Sequence, residues 1–369
     1  MKIVSLKNQN TTAPIELWHK LINSDLRDED LAIGLSNIYK LHGPSVTELV
    51  MESYCPNKCQ HCIYPPDYHH YSKSLSEDEW ANSLNYLYKT AGLRRFVYSG
   101  RHTLKKHFQI LNGFKKKFPD IRLGIIADAN ELEPLIEDLI RLRPDWVDIS
   151  LDGLEKEHDF QRMNEGSFRK TIENLHLLRA LRVSEKINIL TCLTNLNKQS
   201  VLDMIKLLNK DGFTNFFISP LTIVKGYRPD PNLMLSAEDF TSFINTSIKE
   251  GNNLIDAYVA IDIYEANYAQ AIQLLQPDIF NNFLFSGEHL EYTFKTGDNE
   301  IYVNFYPSSL TGLRECIVNS DGCIIPPKVM AMGEIPDNLI FGNILNVESN
   351  KNIFQDIAVQ NKLKIKYCL

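Results

Sequence analysis

Three cysteines fall within the eight residues Cys55-Pro56-Asn57-Lys58-Cys59-Gln60-His61-Cys62, directly after the strand-like run Val46-Thr47-Glu48-Leu49-Val50-Met51. A C-x3-C-x2-C loop constrains a chain strongly, because soft thiolates that lie this close in sequence act together on one metal centre. Three thiolates on a short loop hold three irons of a [4Fe–4S] cube and leave the fourth iron open to a further ligand. The competing reading is a zinc site with His61, His69 or His70 as the fourth donor. Structural zinc sites more often pair two C-x2-C knuckles, and the sequence has no second knuckle. The cube is therefore the expectation.

The rest of the composition limits the alternatives. A chain of 369 residues that is 44% hydrophobic can bury one large core or two unequal ones. Its net charge is −7, and the one short basic run, Lys115-Lys116-Lys117, reads as a solvated helix face. No nucleic-acid partner is expected. No apolar run has the length of a signal peptide or of a membrane span, so a cytoplasmic location without a membrane partner is expected. Seven cysteines is an odd number, and a chain of this size needs no disulfide staples. Reduced thiols fit that compartment.

Residues 1–45 read as a helical lead-in, with weak helical segments around Ile15 to Trp18 and Asp30 to Ile33. From Val46 to about Gly251, β-branched runs alternate with amphipathic segments in six units, the pattern of repeated βα units on a parallel sheet. The first helix is announced by the capping box Ser76-Glu77-Asp78-Glu79, with Leu75 and Trp80 as its hydrophobic staple. Strands are expected at Arg95 to Tyr98, Leu123 to Ile126, Trp146 to Ile149, Ile187 to Leu193 and Phe216 to Ile218. Helical faces follow at Leu104 to Phe118 and Leu132 to Ile140, and helices begin near Ser167, Gln199 and Ser236. After Gly251 the alternation stops. A hairpin is expected there, with Tyr292-Thr293-Phe294 and Ile301-Tyr302-Val303 flanking Thr296-Gly297-Asp298-Asn299.

The cysteine loop after a first strand, the segment Ser150-Leu151-Asp152-Gly153, and its continuation His158-Asp159-Phe160-Gln161-Arg162 are similar to the radical SAM superfamily. The resemblance is to the members that carry a C-terminal SPASM or twitch extension. It implies an α/β chain: a partial (β/α)6 TIM-like barrel over residues 46–251, with a smaller C-terminal α+β extension over residues 252–369. It also implies two cofactors, a [4Fe–4S] cluster on Cys55, Cys59 and Cys62, and S-adenosylmethionine chelated by the open iron. One-electron reduction then cleaves the sulfonium, and the 5′-deoxyadenosyl radical takes a hydrogen atom from a substrate. An electron donor such as flavodoxin or ferredoxin is an implied partner.

The same resemblance assigns Ser150 and Arg162 to the cosubstrate, with the guanidinium gripping its carboxylate. Asp152 is either a further contact or a turn residue before Gly153. Ser99, Gly100 and Arg101 stand where the family places a Gly-Gly-Glu-Pro loop for the methionyl ammonium. Only Gly100 matches by identity, and Arg101 reverses the usual charge. Asn195 is placed at the ribose, the backbone of Leu221 at the adenine, and His61 in stacking contact with the adenine.

Cys316 and Cys323 bracket Ile317-Val318-Asn319-Ser320-Asp321-Gly322, which reads as a hairpin able to bring the two thiols near one another. With Gly342-Asn343-Ile344 it resembles a degenerate SPASM or twitch hairpin, and Cys368 is the one further thiol downstream. Cys192 reads as core packing. Cys316 and Cys323 are candidate catalytic residues, as hydrogen-atom donors over the barrel mouth. The substrate implied by the extension is a peptide. A sugar or amino-acid dehydrogenase or epimerase acting on a small molecule is the alternative, and a zinc-stabilised binding module the third reading.

Overall fold

The structure, a computed structural model, describes residues 46–63, 74–99, 102–222, 230–275, 284–285, 290–296, 299–306, 315–326 and 335–346. The lead-in over residues 1–45 lies outside the described residues, as do His69, His70, Gly100, Arg101 and Cys368.

Strands β1 (Val46–Leu49), β2 (Arg95–Ser99), β3 (Arg122–Ala127), β4 (Trp146–Ser150), β5 (Ile187–Leu193) and β6 (Asn215–Pro220) alternate with helices, as the sequence predicts. The first helix, α1 (Glu77–Lys89), has the full capping box: Glu79 N–H donates to Ser76 Oγ, and Ser76 N–H donates to Glu79 Oε2 at 2.8 Å. Helix α2 (Lys105–Lys117) ends just before Pro119, as expected. The third helix departs from expectation. Residues Ala129–Glu131 and Glu133–Leu135 form two 3₁₀ turns before α3 (Ile136–Leu142), because Pro134 has no N–H with which to continue an α-helical ladder.

A short helix that periodicity alone does not predict, α4 (Glu155–Arg162), comes before α5 (Ser167–Ala180). Helix α6 (Ser200–Lys210) follows β5, and α7 (Ala237–Glu250) is capped by Ser236, whose hydroxyl accepts the Asp239 N–H at 3.0 Å.

The sheet does not stop at residue 251. Strand β7 (Tyr258–Tyr264) pairs parallel with β6, and helix α8 (Glu265–Leu274) follows it. Strands β8 (Leu284–Phe285), β9 (Leu290–Thr296) and β10 (Asn299–Tyr306) come next, and β10 pairs parallel with β7. The predicted hairpin is β9 with β10. At the other edge, β11 (Glu315–Val318) runs parallel to β1 and carries β12 (Cys323–Ile325) and β13 (Gly342–Asn343) antiparallel. The order is β13-β12-β11-β1-β2-β3-β4-β5-β6-β7-β10-β9-β8, an open sheet of thirteen strands among the described residues. The segment after residue 251 thus extends both edges of one sheet. Strand β7 alternates only in part, since Ala260 is buried beside Val259 and Ile261, so a period-two pattern does not announce that the parallel run goes on.

Alternation along the strands separates two faces. One face, with Leu49, Phe96, Tyr98, Ile125, Val147 and Ile261, joins the helices in one apolar core. The opposite face is polar. There Arg95 lies over the ring of Trp146, whose indole N–H donates to Asp148 Oδ2 at 3.0 Å, and Asn188 donates to Asp148 Oδ1 at 2.7 Å. The indole occupies the space above Gly124, where a Cβ would come within 2.0 Å of the ring.

Burial pushes the Asp148 carboxyl up from 3.8 to about 6, against the pull of Asn188 and Trp146. The native state then keeps a proton that the unfolded chain releases. The raised value makes stability fall as pH rises from about 4 to about 6, by at most roughly 3 kcal/mol, and remain at the lower level above that window. Asp148→Asn should flatten this part of a stability-versus-pH curve from chemical denaturation. An unchanged curve would show that Asp148 has no such shift.

Candidate active site

The C-terminal ends of parallel strands are where the loops of βα units converge, and the cysteine loop leaves the end of β1. Cys55, Cys59 and Cys62 are all half-buried there. The loop is tied across the sheet to α4: Gln60 N–H donates to Gln161 O at 2.9 Å, and Gln60 Nε2 donates to Phe160 O at 2.8 Å. Burial raises the Cys59 thiol to about 12, with Arg162 opposing and the neighbouring Cys62 and Cys55 adding to the rise.

A ring of hydrogen bonds surrounds the loop. Asn57 Nδ2 donates to Asp128 Oδ2 at 2.9 Å, and Asp128 Oδ1 accepts the Asn130 side-chain amide at 2.7 Å. Asn130 also donates to Ser167 Oγ at 2.7 Å, and His158 Nε2 lies 3.2 Å from the same hydroxyl. His158 Nδ1 accepts the Asp152 N–H at 3.0 Å, so the proton of the neutral ring sits on Nε2 and donates to Ser167. Asp152 Oδ2 accepts Arg162 Nε at 2.7 Å, and Arg162 Nη1 stands 4.0 Å from Cys59 Sγ. The ring closes on the cysteine loop where it began.

Helical geometry explains how α4 serves this arrangement: His158 and Arg162, at i and i+4, share the face turned toward Asp152. The helix ends at Met163, whose backbone is left-handed at φ 53°.

Asp152 is 0% exposed. Burial works against its charged form, but Arg162, His61 and His158 and the Cys192 N–H hold its carboxyl below the usual range. Its second oxygen accepts that Cys192 N–H at 2.8 Å. Asp152 thereby ties Arg162 to β5, with both of its oxygens engaged. Arg162, with its side chain 12% exposed, has its pKa raised: burial lowers it, and Asp152 and Cys59 more than offset that.

His61 packs with Nε2 3.7 Å from Asp152 Oδ2, and burial lowers it to about 4, so the ring is neutral at neutral pH. Its Nδ1 is buried without a hydrogen-bond partner. Ser99 and Ser150 are half-buried at the ends of β2 and β4, on the polar face that also carries Asp148.

Other expected residues are not brought in. Asn195 is exposed, and its amide donates to Asn232 O at 3.3 Å, fastening the loop before α7. The Leu221 N–H donates to Leu193 O, and its carbonyl accepts the Tyr268 hydroxyl at 3.2 Å.

The C-terminal thiols are also corrected. Strands β11 and β12 form the expected hairpin, but its register pairs Ile317 with Ile325 and Val318 with Ile324. Cys316 therefore points to one face and Cys323 to the other, which keeps them apart. Cys316, 0% exposed, packs into the helix-side core with Sγ 3.7 Å from Thr47 Oγ1, so it does not reach the polar face as a catalytic thiol. Cys323 is half-buried beside Val50, Ile317 and Ile325 at the sheet edge, 3.8 Å from Asn343 Nδ2. The hairpin widens the sheet rather than covering its mouth. Cys192, expected as core packing, lies on the polar side of β5 in register with Ser219, with its backbone held by Asp152, Gln161 and Asn197.

The donor set fits a [4Fe–4S] cluster. Among the described residues no three His, Cys, Asp or Glu side chains converge on a single ion. Cys55 and Cys62 lie near enough to Cys59 to add to the rise of its pKa, and three thiols on one loop are the donor chemistry that holds three irons of a cube.

Residues 50–208 match the family model of the Radical SAM superfamily. No curated protein matches the chain in sequence. Among solved structures, native anSMEcpe with bound AdoMet and Cp18Cys peptide is 16% identical, with a TM-score of 0.58 over 87% of this chain and 82% of that one. SuiB of Streptococcus suis bound to the precursor peptide SuiA is 14% identical, with a TM-score of 0.63 over 89% of this chain and 69% of that one. The same SuiB bound to S-adenosylmethionine is 13% identical, also at 0.63, over 89% and 70%. At these identities the likeness is one of fold. With the cysteine loop and its ring of hydrogen bonds in place, residues 50–208 form a domain that matches the Radical SAM superfamily, whose enzymes work with a [4Fe–4S] cluster and S-adenosylmethionine.

Proposed function

We propose that the chain holds its cluster on Cys55, Cys59 and Cys62 and modifies a peptide. The observation that carries the site assignment is the Arg162 guanidinium, fixed by Asp152 at 2.7 Å and standing beside Cys59. Together, cluster and cosubstrate supply a 5′-deoxyadenosyl radical on one-electron reduction. The residues supply placement. Arg162, with Nε engaged by Asp152, presents its terminal nitrogens toward the cluster loop for a carboxylate. Ser150 and Ser99 offer small polar groups at adjoining strand ends. His61, neutral and buried, walls the loop on the Asp152 side and keeps water from it.

The peptide is supported by the neighbours solved with peptides bound, anSMEcpe and SuiB. Cys316, buried in the helix-side core, gives the epimerase version of a small-molecule enzyme no support.

The test uses anaerobically reconstituted protein with dithionite, or with flavodoxin or ferredoxin as donor. Short peptides encoded beside its gene are added, and 5′-deoxyadenosine, methionine and peptide mass are followed together. A peptide that gains or loses mass in step with 5′-deoxyadenosine is expected. Cleavage stimulated by sugars or free amino acids and by no peptide would overturn the peptide reading.

A further inference from the structure

Asp128 does more than its place in the fold requires. It follows β3 and caps the first 3₁₀ turn, with Oδ1 accepting the Asn130 N–H at 3.0 Å. A cap uses one oxygen. The other, Oδ2, accepts the Asn57 amide at 2.9 Å, across 71 residues of sequence and from inside the cysteine loop. An acidic side chain suits both tasks, because a carboxylate accepts on two oxygens where an amide side chain accepts on one.

This second bond divides the work of holding the loop. The Cys59-to-Cys62 half is fastened to α4 through Gln60, whose N–H and side chain donate to Gln161 O and Phe160 O. In the Cys55-to-Cys59 half Pro56 and Lys58 are exposed, and the Asn57 amide reaches across to the end of β3. Anchors on two different elements keep a loop from turning about either one.

The two anchors are joined. Asn130 Nδ2 donates to Asp128 Oδ1 and to Ser167 Oγ, both at 2.7 Å, and His158 Nε2 lies 3.2 Å from that hydroxyl. His158 Nδ1 accepts the Asp152 N–H, and the Asp152 carboxylate holds Arg162 at 2.7 Å. A cosubstrate gripped both at Arg162 and at the cluster of the loop binds most tightly when the two are held at one separation before it arrives.

We propose that Asp128 is a positioning residue for the cofactor loop: by holding Asn57 it fixes the Cys55-to-Cys59 half against the Asp152–Arg162 pair, and so sets the separation that S-adenosylmethionine must span. This rests on the assignment of the cluster to Cys55, Cys59 and Cys62.

The test uses anaerobically reconstituted holoenzyme with iron content matched between samples. Affinity for S-adenosylmethionine is measured by equilibrium dialysis, and the electron paramagnetic resonance spectrum of the dithionite-reduced cluster is recorded with and without it. Asn57→Ala removes the tether without changing charge and should weaken binding at least about tenfold. Asn57→Asp alone sets two carboxylates against each other and should weaken it further. Asn57→Asp combined with Asp128→Asn should restore affinity to within about twofold of the parent, together with the parent spectrum. In that exchange the new amide at position 128 keeps its oxygen on Asn130 and donates to the new carboxylate at position 57, so three hydrogen bonds and the net charge are preserved. Parent affinity in Asn57→Ala would overturn the proposal, and so would an exchange variant no better than Asn57→Asp, since Asn57 would then act by a contact of its own. That second comparison decides the matter alone if Asn57→Ala does not fold. The parent separates the two readings: a reduced cluster whose spectrum ignores S-adenosylmethionine removes the cluster assignment and the tether with it, whereas a parent that responds and variants that match it remove only the tether.

Discussion

Replacing Cys55, Cys59 and Cys62 together by Ala should abolish the iron–sulfur chromophore and, with it, all reductive cleavage of S-adenosylmethionine. The loop itself should survive the change. Its shortest fastenings among the described residues are backbone and amide contacts, Gln60 to Gln161 and Phe160 and Asn57 to Asp128, and these use no thiol. Burial also disfavours the Cys59 thiolate in the metal-free chain, so removing that sulfur takes nothing from the metal-free fold beyond packing. The triple variant should therefore match the metal-free parent in chemical denaturation and differ from the reconstituted parent by having no cluster. Cys316→Ala and Cys323→Ala serve as controls and should leave iron content at the parent level, since opposite faces of a hairpin do not share one cluster. If the triple variant retained about four irons per chain with an unaltered spectrum, the cluster would lie elsewhere. If Cys316→Ala lost iron, a second centre would have to be sought there.

Much of this was readable in the residues, for reasons that differ from element to element. Strand and helix order over β1 to β6 follows from period, caps and prolines, which are local properties. The cofactor loop was readable because three thiols in one loop have few uses. The ring around it was not, because Asn57, Asp128, Asn130 and Ser167 come from separate segments and meet only when the sheet forms. The signal for α4 was present: Glu155 and Glu157 favour a helix N-terminus, and His158 and Arg162 have i, i+4 spacing. The misplacement of Cys316 and Cys323 has the opposite cause. A hairpin was correctly predicted, but the face of each thiol depends on register, and one residue of register exchanges the faces.

Breaking the Asp152–Arg162 pair gives the second large effect expected. Asp152→Ala leaves a buried guanidinium without its counter-charge, a change that costs about 3–5 kcal/mol in comparable buried pairs. It also strands the Cys192 N–H, which Asp152 Oδ1 accepts at 2.8 Å. Adding Arg162→Met to Asp152→Ala removes the stranded charge and should restore most of the loss in anaerobic denaturation. That rescue separates a charge effect from simple loss of packing, because a cavity left by Asp152 would persist in the double variant. Affinity for S-adenosylmethionine should follow a different order. Arg162→Lys keeps a positive charge, yet one ammonium cannot serve Asp152 and still offer a planar fork at the cluster loop. Its affinity for S-adenosylmethionine, measured by equilibrium dialysis on reconstituted protein, should fall by about 1–3 kcal/mol. The double variant should bind no better than Arg162→Lys, however stable it becomes. Recovery of cosubstrate affinity together with stability would mean that the pair only builds the fold, and the carboxylate grip would then have to be assigned to another side chain.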